Sequence, residues 1–270
     1  MSEKKEQRAL KENEYIDKDG LIHCSVCKKP KQIKNALGIF KALCECEKKR
    51  AEEENRRLEQ TEREQKQKAL IKRCFSGNTV LCSKTFDGVN LENASAKLCF
   101  NYCKNWEQVK ENSLSLILCG NVGSGKTYLS CCICNKIIND YCASVRFITE
   151  YDFLNGYMNS DNKDEYIASC SSCALLVLDD FGTKCFNKGK SNGYATYMND
   201  LIDARYKKDK PMVITTNLPY EYFKKNHSSI EEQRMFSRLF EMSGGAVQIN
   251  SADMRKSIGA KKKEMLEAFI

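Results

Sequence analysis

Residues Leu116 to Leu129 read LILCGNVGSGKTYL, and the fold turns on them. An apolar run, a glycine-rich turn and a lysine opening a helix-forming stretch predict a strand, a tight loop and a helix. Gly120-Asn121-Val122-Gly123-Ser124-Gly125-Lys126-Thr127 fits GxxxxGK[ST] at every fixed position, and Tyr128 follows it. Glycines at that spacing let successive backbone N–H groups turn inward around phosphate oxygens, and the helix N-terminus adds its partial positive charge. Lys126 is placed for the β- and γ-phosphates, and the Thr127 hydroxyl for Mg²⁺. Residues 120–128 are therefore expected to bind a nucleotide.

Further apolar runs flank this unit: SVRFIT (144–149), ALLVLDD (174–180), PMVITTN (211–217) and AVQIN (246–250). Helix-forming segments separate them at 126–140, 150–168, 191–208 and 230–242. Short, continuously apolar strands alternating with helices predict an α/β fold, a parallel sheet covered on both faces.

Two of those strands end in polar residues that suit phosphate chemistry. Asp179 is expected to hold Mg²⁺ and Asp180 to orient the attacking water. Adjacent carboxylates closing a buried strand are costly without a cation or hydrogen bonds, and a helix cap would explain only one of them. Thr215, Thr216 and Asn217 end the next strand; Asn before Leu-Pro is a common loop opener. Beside the two preceding motifs, Asn217 reads as a sensor of the γ-phosphate.

The chain has 270 residues, 41% hydrophobic and 30% charged, with a net charge of +8. That suits one domain plus a solvated extension, and the basic excess fits either an anionic partner or a plain solubilising surface. The charged N-terminus MSEKKEQRALKENE is unlike a signal peptide, and no run approaches the roughly 20 apolar residues of a membrane span. With 16 cysteines, the expectation is a reducing cytoplasm in which cysteine is a metal ligand or core filler. The expected division is a cysteine module at 1–46, a charged helical linker at 47–73, a nucleotide domain at 74–255 and a basic tail at 256–270.

Cys24 and Cys27 form a CxxC, and Cys44 and Cys46 a CxC further on. Four thiolates from two turns can close a tetrahedral Zn²⁺ site and supply folding energy to a segment too small for a core. His23 is a conceivable substitute ligand, and unrelated free thiols are the alternative. Cys170 and Cys173 lack a second pair, so packing explains them better, as it does Cys119, Cys131, Cys132 and Cys134. Lys28, Lys29, Lys31, Lys34 and Lys41 surround Phe40, a pattern able to bind nucleic acid.

Together the motifs resemble AAA+ ATPases, and more closely the DnaC/DnaI/IstB group of helicase loaders and transposition helpers. LLVLDDFG, DARYKKDKPMVITTNLP and EEQRMFSRLFEM carry the resemblance over roughly residues 75–255. It implies ATP as the nucleotide and Arg238 as an arginine finger reaching the ATP of an adjacent subunit, with Arg234 the competing candidate. The short stretch after AVQIN leaves no full helical lid, as in DnaC-type loaders; Arg255 is a conceivable second sensor but reads better as a tail residue. The resemblance further implies a replicative helicase of the DnaB type as partner, docked by the N-terminal module, together with single-stranded DNA and self-association through the ATP sites. Phe153, Tyr157, Lys184 and Lys188 are conceivable contacts to the strand.

The expected function is an ATP-dependent helicase loader. An IstB-like transposition helper is the first alternative, and an ATP-responsive zinc and nucleic-acid adaptor with little turnover the second. A small-molecule kinase fits less well, because it needs an arginine-rich lid.

Overall fold

A computed structural model describes residues 10–182, 193–225, 229–250, 254–267 and 269. The chain divides into two compact units, Met1–Gln65 and Lys66–Ile270.

The first unit is built from two antiparallel hairpins, β1 (Glu14–Ile16) with β2 (Ile22–Cys24) and β3 (Gln32–Asn35) with β4 (Gly38–Lys41). Little apolar surface is buried here. The unit is held instead by Cys24, Cys44 and an ion triad around the buried Lys31, whose Nζ lies 2.6 Å from Glu14 Oε1 and 2.7 Å from Glu47 Oε1. These carboxylates raise the Lys31 pKa. Lys31 is thus spent on the fold, and of the expected basic cluster only the other lysines remain for a partner. The β3–β4 hairpin leaves Ile33, Leu37, Ile39 and Phe40 exposed.

Helix α1 (Glu45–Cys74) starts in this unit and ends in the next. It is exposed along almost its whole length, so its stability is local. Glu45 and Glu47 in the first turn and Lys72 and Arg73 in the last suit the helix dipole, and Gln60 donates to Glu64 one turn on.

The second unit carries α2 (Thr79–Cys82), α3 (Ala94–Lys104) and α4 (Trp106–Glu111) ahead of its first strand, β5 (Leu116–Cys119). Then come α5 (Lys126–Tyr141), β6 (Val145–Thr149), α6 (Glu150–Asn159), α7 (Lys163–Ser171), β7 (Leu175–Phe181) and α8 (Tyr194–Tyr206). β8 (Met212–Thr216), α9 (Ile230–Ser243), β9 (Ala246–Gln248) and α10 (Met254–Glu267) complete the order. The five strands form one parallel sheet in the order β6-β7-β8-β5-β9. Alternate residues feed two cores. Leu116, Leu118, Leu175 and Val177 pack with α3 and α5, whereas Ile117, Leu176, Leu178 and Ile214 pack with α6, α8 and α9. A sheet buried on both faces needs apolar residues at every position, which is why its strands read as unbroken runs.

One expected helix is two. The segment 150–168 breaks after Asn159, because Asn162 takes extended backbone and accepts the Glu165 N–H as the cap of α7. Cys119, Cys131, Cys132, Cys134 and Cys170 are fully buried. Burial pushes the Cys119 thiol up to about 11 and Cys132 to about 12, so both stay protonated at neutral pH. Arg205 is also fully buried, donating to the carbonyls of Ser171, Cys173, Ala174 and Pro211. It stitches the turn before β7 to the start of β8. No helix among the described residues is long and apolar enough to cross a membrane.

Candidate nucleotide site

The candidate site lies where β5, β7 and β8 end, at the carboxyl edge of the parallel sheet, the usual ligand crevice of such folds. Gly120 leaves β5 beside the chain that follows β9. A Cβ there would lie 2.7 Å from the Ile249 carbonyl oxygen, so only glycine fits. Gly123 (φ 80°) and Gly125 (φ 94°) hold the left-handed backbone that wraps the loop, and α5 begins without a side-chain cap. Its first N–H groups have no acceptor within the helix and point to where a ligand could accept from them.

The side chains of the loop are prepared for anions. Lys126 is buried, and its Nζ donates to the carbonyls of Gly120 and Asn121, each at 2.8 Å. A phosphate would exchange those neutral acceptors for charged oxygens. Ser124 Oγ is buried with no hydrogen-bond partner among the described residues, a polar atom awaiting an acceptor or donor. Asn121 and Val122 stand exposed at the loop tip. Tyr128 turns aside instead, donating to the Thr85 carbonyl at 3.3 Å.

Thr127 Oγ1 donates to Asp179 across the gap between α5 and β7, at 3.0 and 3.1 Å from the two carboxylate oxygens. Asp179 is 3% exposed and also accepts from Thr215 Oγ1. Its pKa is pushed up to about 6, chiefly by burial; the Thr215 hydrogen bond works against burial, and the Asp180 charge adds to it. A carboxylate so desolvated, facing a threonine hydroxyl and a lysine, suits Mg²⁺. Asp180, next in the chain, is exposed with φ 56° and has its N–H bonded to Thr215 Oγ1 at 2.9 Å.

Lys126, Thr127, Ser124, Asp179 and Asp180 are thus gathered at one crevice. Asn217 lies one residue beyond β8 and is exposed. Arg238 faces elsewhere: on α9, it bonds Asn199 Oδ1 at 2.9 Å and pairs with Asp203 Oδ1 at 2.8 Å, both on α8, and lies over the Tyr206 ring. Arg234, one turn earlier, is exposed. Phe153 and Tyr157 are buried in the core between α6 and α8, which leaves them no free face for a nucleic-acid strand. Lys184 and Lys188 lie outside the described residues, as does the side chain of Arg255. Of the three polar residues that close this apolar run in the sequence, Asn217 reads as the sensor, but it is Thr215 that bonds the Asp179 carboxylate.

In the first unit, Cys24, Cys27, Cys44 and Cys46 bring their sulfurs within 4.8 Å of one another. Cys24 ends β2, Cys27 lies in the turn after it, Cys44 precedes α1 and Cys46 sits in its first turn. The helix start accommodates the tight CxC spacing. The Lys29 N–H holds the Cys27 thiol down to about 6, and the N–H groups of Cys27 and Val26 lower Cys24. Burial raises Cys44, and the hydrogen bond with Cys27 pushes Cys46 to about 11. Four converging thiols with backbone donors on two of them form a donor set that fits Zn²⁺. His23 is taken by Asp19, Nε2 to Oδ2 at 3.0 Å.

A parallel sheet with a phosphate loop after β5, and two carboxylates closing β7 on the far side of β8, defines a P-loop nucleotide-binding core. The chain belongs to the IstB-like ATP-binding protein family, whose model matches residues 48–261, and is an AAA+ ATPase of the DnaC/DnaI/IstB type. It is similar to the replicative helicase loader DnaC of Escherichia coli K12, with 28% identity over 116 residues, 41% of this chain and 45% of DnaC. The chain therefore spans about half the length of the curated relatives it matches. By fold it is similar to the crystal structure of DnaI, with TM-score 0.54, 16% identity and coverage of 66% of this chain and 94% of that one. A putative primosome component from Streptococcus pyogenes gives TM-score 0.54 and 17% identity, covering 68% of this chain and 97% of that one.

Proposed function

We propose that this chain loads a replicative helicase, using ATP binding and hydrolysis to change its grip on the helicase and on single-stranded DNA. The observation that carries the reading is the Thr127–Asp179 hydrogen bond across the carboxyl ends of the sheet. It supports a Mg²⁺ site formed by that hydroxyl and carboxylate beside the glycine-rich loop, in a family described as ATP-binding. The described relative DnaC is a replicative helicase loader, which supports the choice of partner.

In this reading the backbone N–H groups of residues 120–127 and Lys126 hold the phosphates, while Thr127 and Asp179 hold Mg²⁺. That cation would neutralise charge on the phosphates. Asp180, exposed at the crevice, orients the attacking water, and Asn217 senses the terminal phosphate from the end of β8. Arg238 completes the site of a neighbouring copy, where a cation stabilises charge developing on the γ-phosphate. Its present partners on α8 must then be released on assembly. ATP acts because it binds the assembled state more tightly than the free one. The cysteine module at 1–46 binds Zn²⁺ and docks the helicase, the helical linker at 47–73 tethers it, and residues 74–255 form the ATPase domain, followed by a basic C-terminal segment at 256–270. These boundaries rest on the sequence divisions alone; the compact first unit reaches further, to Gln65.

The test is co-elution of the full chain with a hexameric DnaB-type helicase in ATP, in ADP and with Lys126→Ala. Retention in ATP that is lost with ADP or with Lys126→Ala supports the reading. Absence of co-elution in every nucleotide state turns it toward the transposition-helper alternative.

A further inference from the structure

The two strands that close the site are out of step by one residue. Leu178 pairs with Ile214, but Phe181 pairs with Thr216, so three steps along β7 match two along β8. The extra residue is a β-bulge placed at the two carboxylates, and Asp180 carries it in left-handed backbone, φ 56°. A bulge withdraws backbone groups from the ladder, and those groups need partners. The threonines of β8 supply them. Thr216 Oγ1 donates to the Phe181 carbonyl at 2.7 Å and accepts the Leu218 N–H at 3.0 Å. Thr215 Oγ1, fully buried, accepts the Asp180 N–H at 2.9 Å and donates to Asp179 Oδ1.

A hydroxyl has one proton, and Thr215 spends it on the Asp179 carboxylate while its lone pair holds the backbone of Asp180. We propose that Thr215 is a positioning residue for both carboxylates, aiming Asp179 at Thr127 and fixing the bulge that carries Asp180 outward. The inference rests on the reading of Asp179 and Asp180 given under Proposed function. It separates the two threonines by role: Thr216 splices the chain only, whereas Thr215 touches the side chain that would hold the cation. Valine has the same shape without the hydroxyl. At position 215 it would remove one of the hydrogen bonds that hold the Asp179 carboxylate and the bond that Thr215 accepts from the Asp180 N–H. Serine keeps both hydrogen bonds.

The test measures binding of a fluorescent, non-hydrolysable ATP analogue to the full chain while Mg²⁺ is titrated, so that turnover plays no part. Thr215→Val should raise the Mg²⁺ concentration for half-maximal tightening by roughly ten- to a hundredfold, the usual effect of losing a group that orients a metal ligand. Affinity in excess chelator should stay within about twofold, since the phosphate loop is untouched. Thr215→Ser should return the Mg²⁺ requirement to near that of the parent. Thr215→Ala is read in parallel, so that a valine variant that does not fold leaves the comparison standing. Parent-like Mg²⁺ dependence in the valine or alanine variant, or a serine variant as impaired as valine, overturns the proposal. If the parent chain binds the analogue equally with and without Mg²⁺, the assignment of Asp179 itself fails and this inference falls with it. A Mg²⁺-dependent parent whose dependence the substitutions leave unchanged removes the Thr215 inference alone.

Discussion

Replacing Asp179 with asparagine should make the nucleotide-free protein more stable while removing its capacity to hold the metal. Burial lifts the pKa of this carboxyl from 3.8 to about 6 in the fold. Below the unfolded value both states carry the proton, and the charge costs nothing. Between the two values the unfolded chain ionises first while the folded site keeps its proton, so the wild type loses stability as pH rises through this window. Above the folded value the loss is complete, about 3 kcal/mol for a difference of roughly two pKa units. Asparagine at this position stays neutral, and its Oδ1 still accepts from Thr127 and Thr215. Its amide protons need new partners at the other edge, which subtracts about 1 kcal/mol or more. The expected net gain near neutral pH is therefore about 2 kcal/mol, a melting shift of roughly 4–8 °C for a unit of this size. Thermal unfolding in chelator without nucleotide, for both proteins across the acid range, reads it directly. The gap should change sign near about pH 4.5, favour the wild type by about 1 kcal/mol at lower pH, and open fully by about pH 7. Saturating ATP analogue with Mg²⁺ should then reverse the order, since only the wild type gains the linked binding energy. An asparagine variant less stable than the parent at neutral pH, or a gap that ignores pH, would refute the reasoning.

Other substitutions probe separate parts of the account. Arg205→Met strands four carbonyl oxygens, two of them buried, so it should cost about 3 kcal/mol in urea unfolding, and lysine, lacking the planar fork, should not rescue it. Gly120→Ala forces a methyl against the Ile249 carbonyl and should weaken nucleotide binding by about tenfold or more, read by fluorescence titration. Cys27→Ser should abolish a stoichiometric zinc signal on metal analysis of the full chain without altering nucleotide affinity; a chain that never carries zinc would dismiss the metal. Asp203→Asn removes the charge paired with Arg238 and leaves Asn199 as its remaining acceptor on α8, so it should lower the protein concentration at which hydrolysis becomes half-maximal. No change in that concentration would mean that the ion pair does not compete with assembly.

The sheet and the loop were legible because both are local patterns. Five apolar runs, a glycine spacing and a paired Asp179–Asp180 sit within a few residues of their signals. The break between α6 and α7 was also written in the chain, in the Asn162 cap, but an otherwise helix-compatible composition masks it. What escaped depends on partners far along the sequence. Lys31 reads as a surface cation until Glu14 and Glu47 are brought to it. Thr215 gains its role only because β7 holds one residue more than β8 between their paired positions, and no single-strand pattern records that mismatch. Arg238 has the side chain expected of a trans-acting group, yet its own α8 supplies acceptors that only the folded helix pair reveals.

The central claim is that one copy's arginine completes another copy's ATP site. Lys126→Ala cannot hold the nucleotide but keeps Arg238, and Arg238→Ala holds the nucleotide but lacks the arginine, so neither should hydrolyse ATP alone. Mixed in equal amounts, they should recover about a quarter of wild-type hydrolysis, the share of random interfaces pairing an intact loop with an intact arginine. A mixture no more active than its two components, or an Arg238→Ala protein with full activity by itself, would contradict the account.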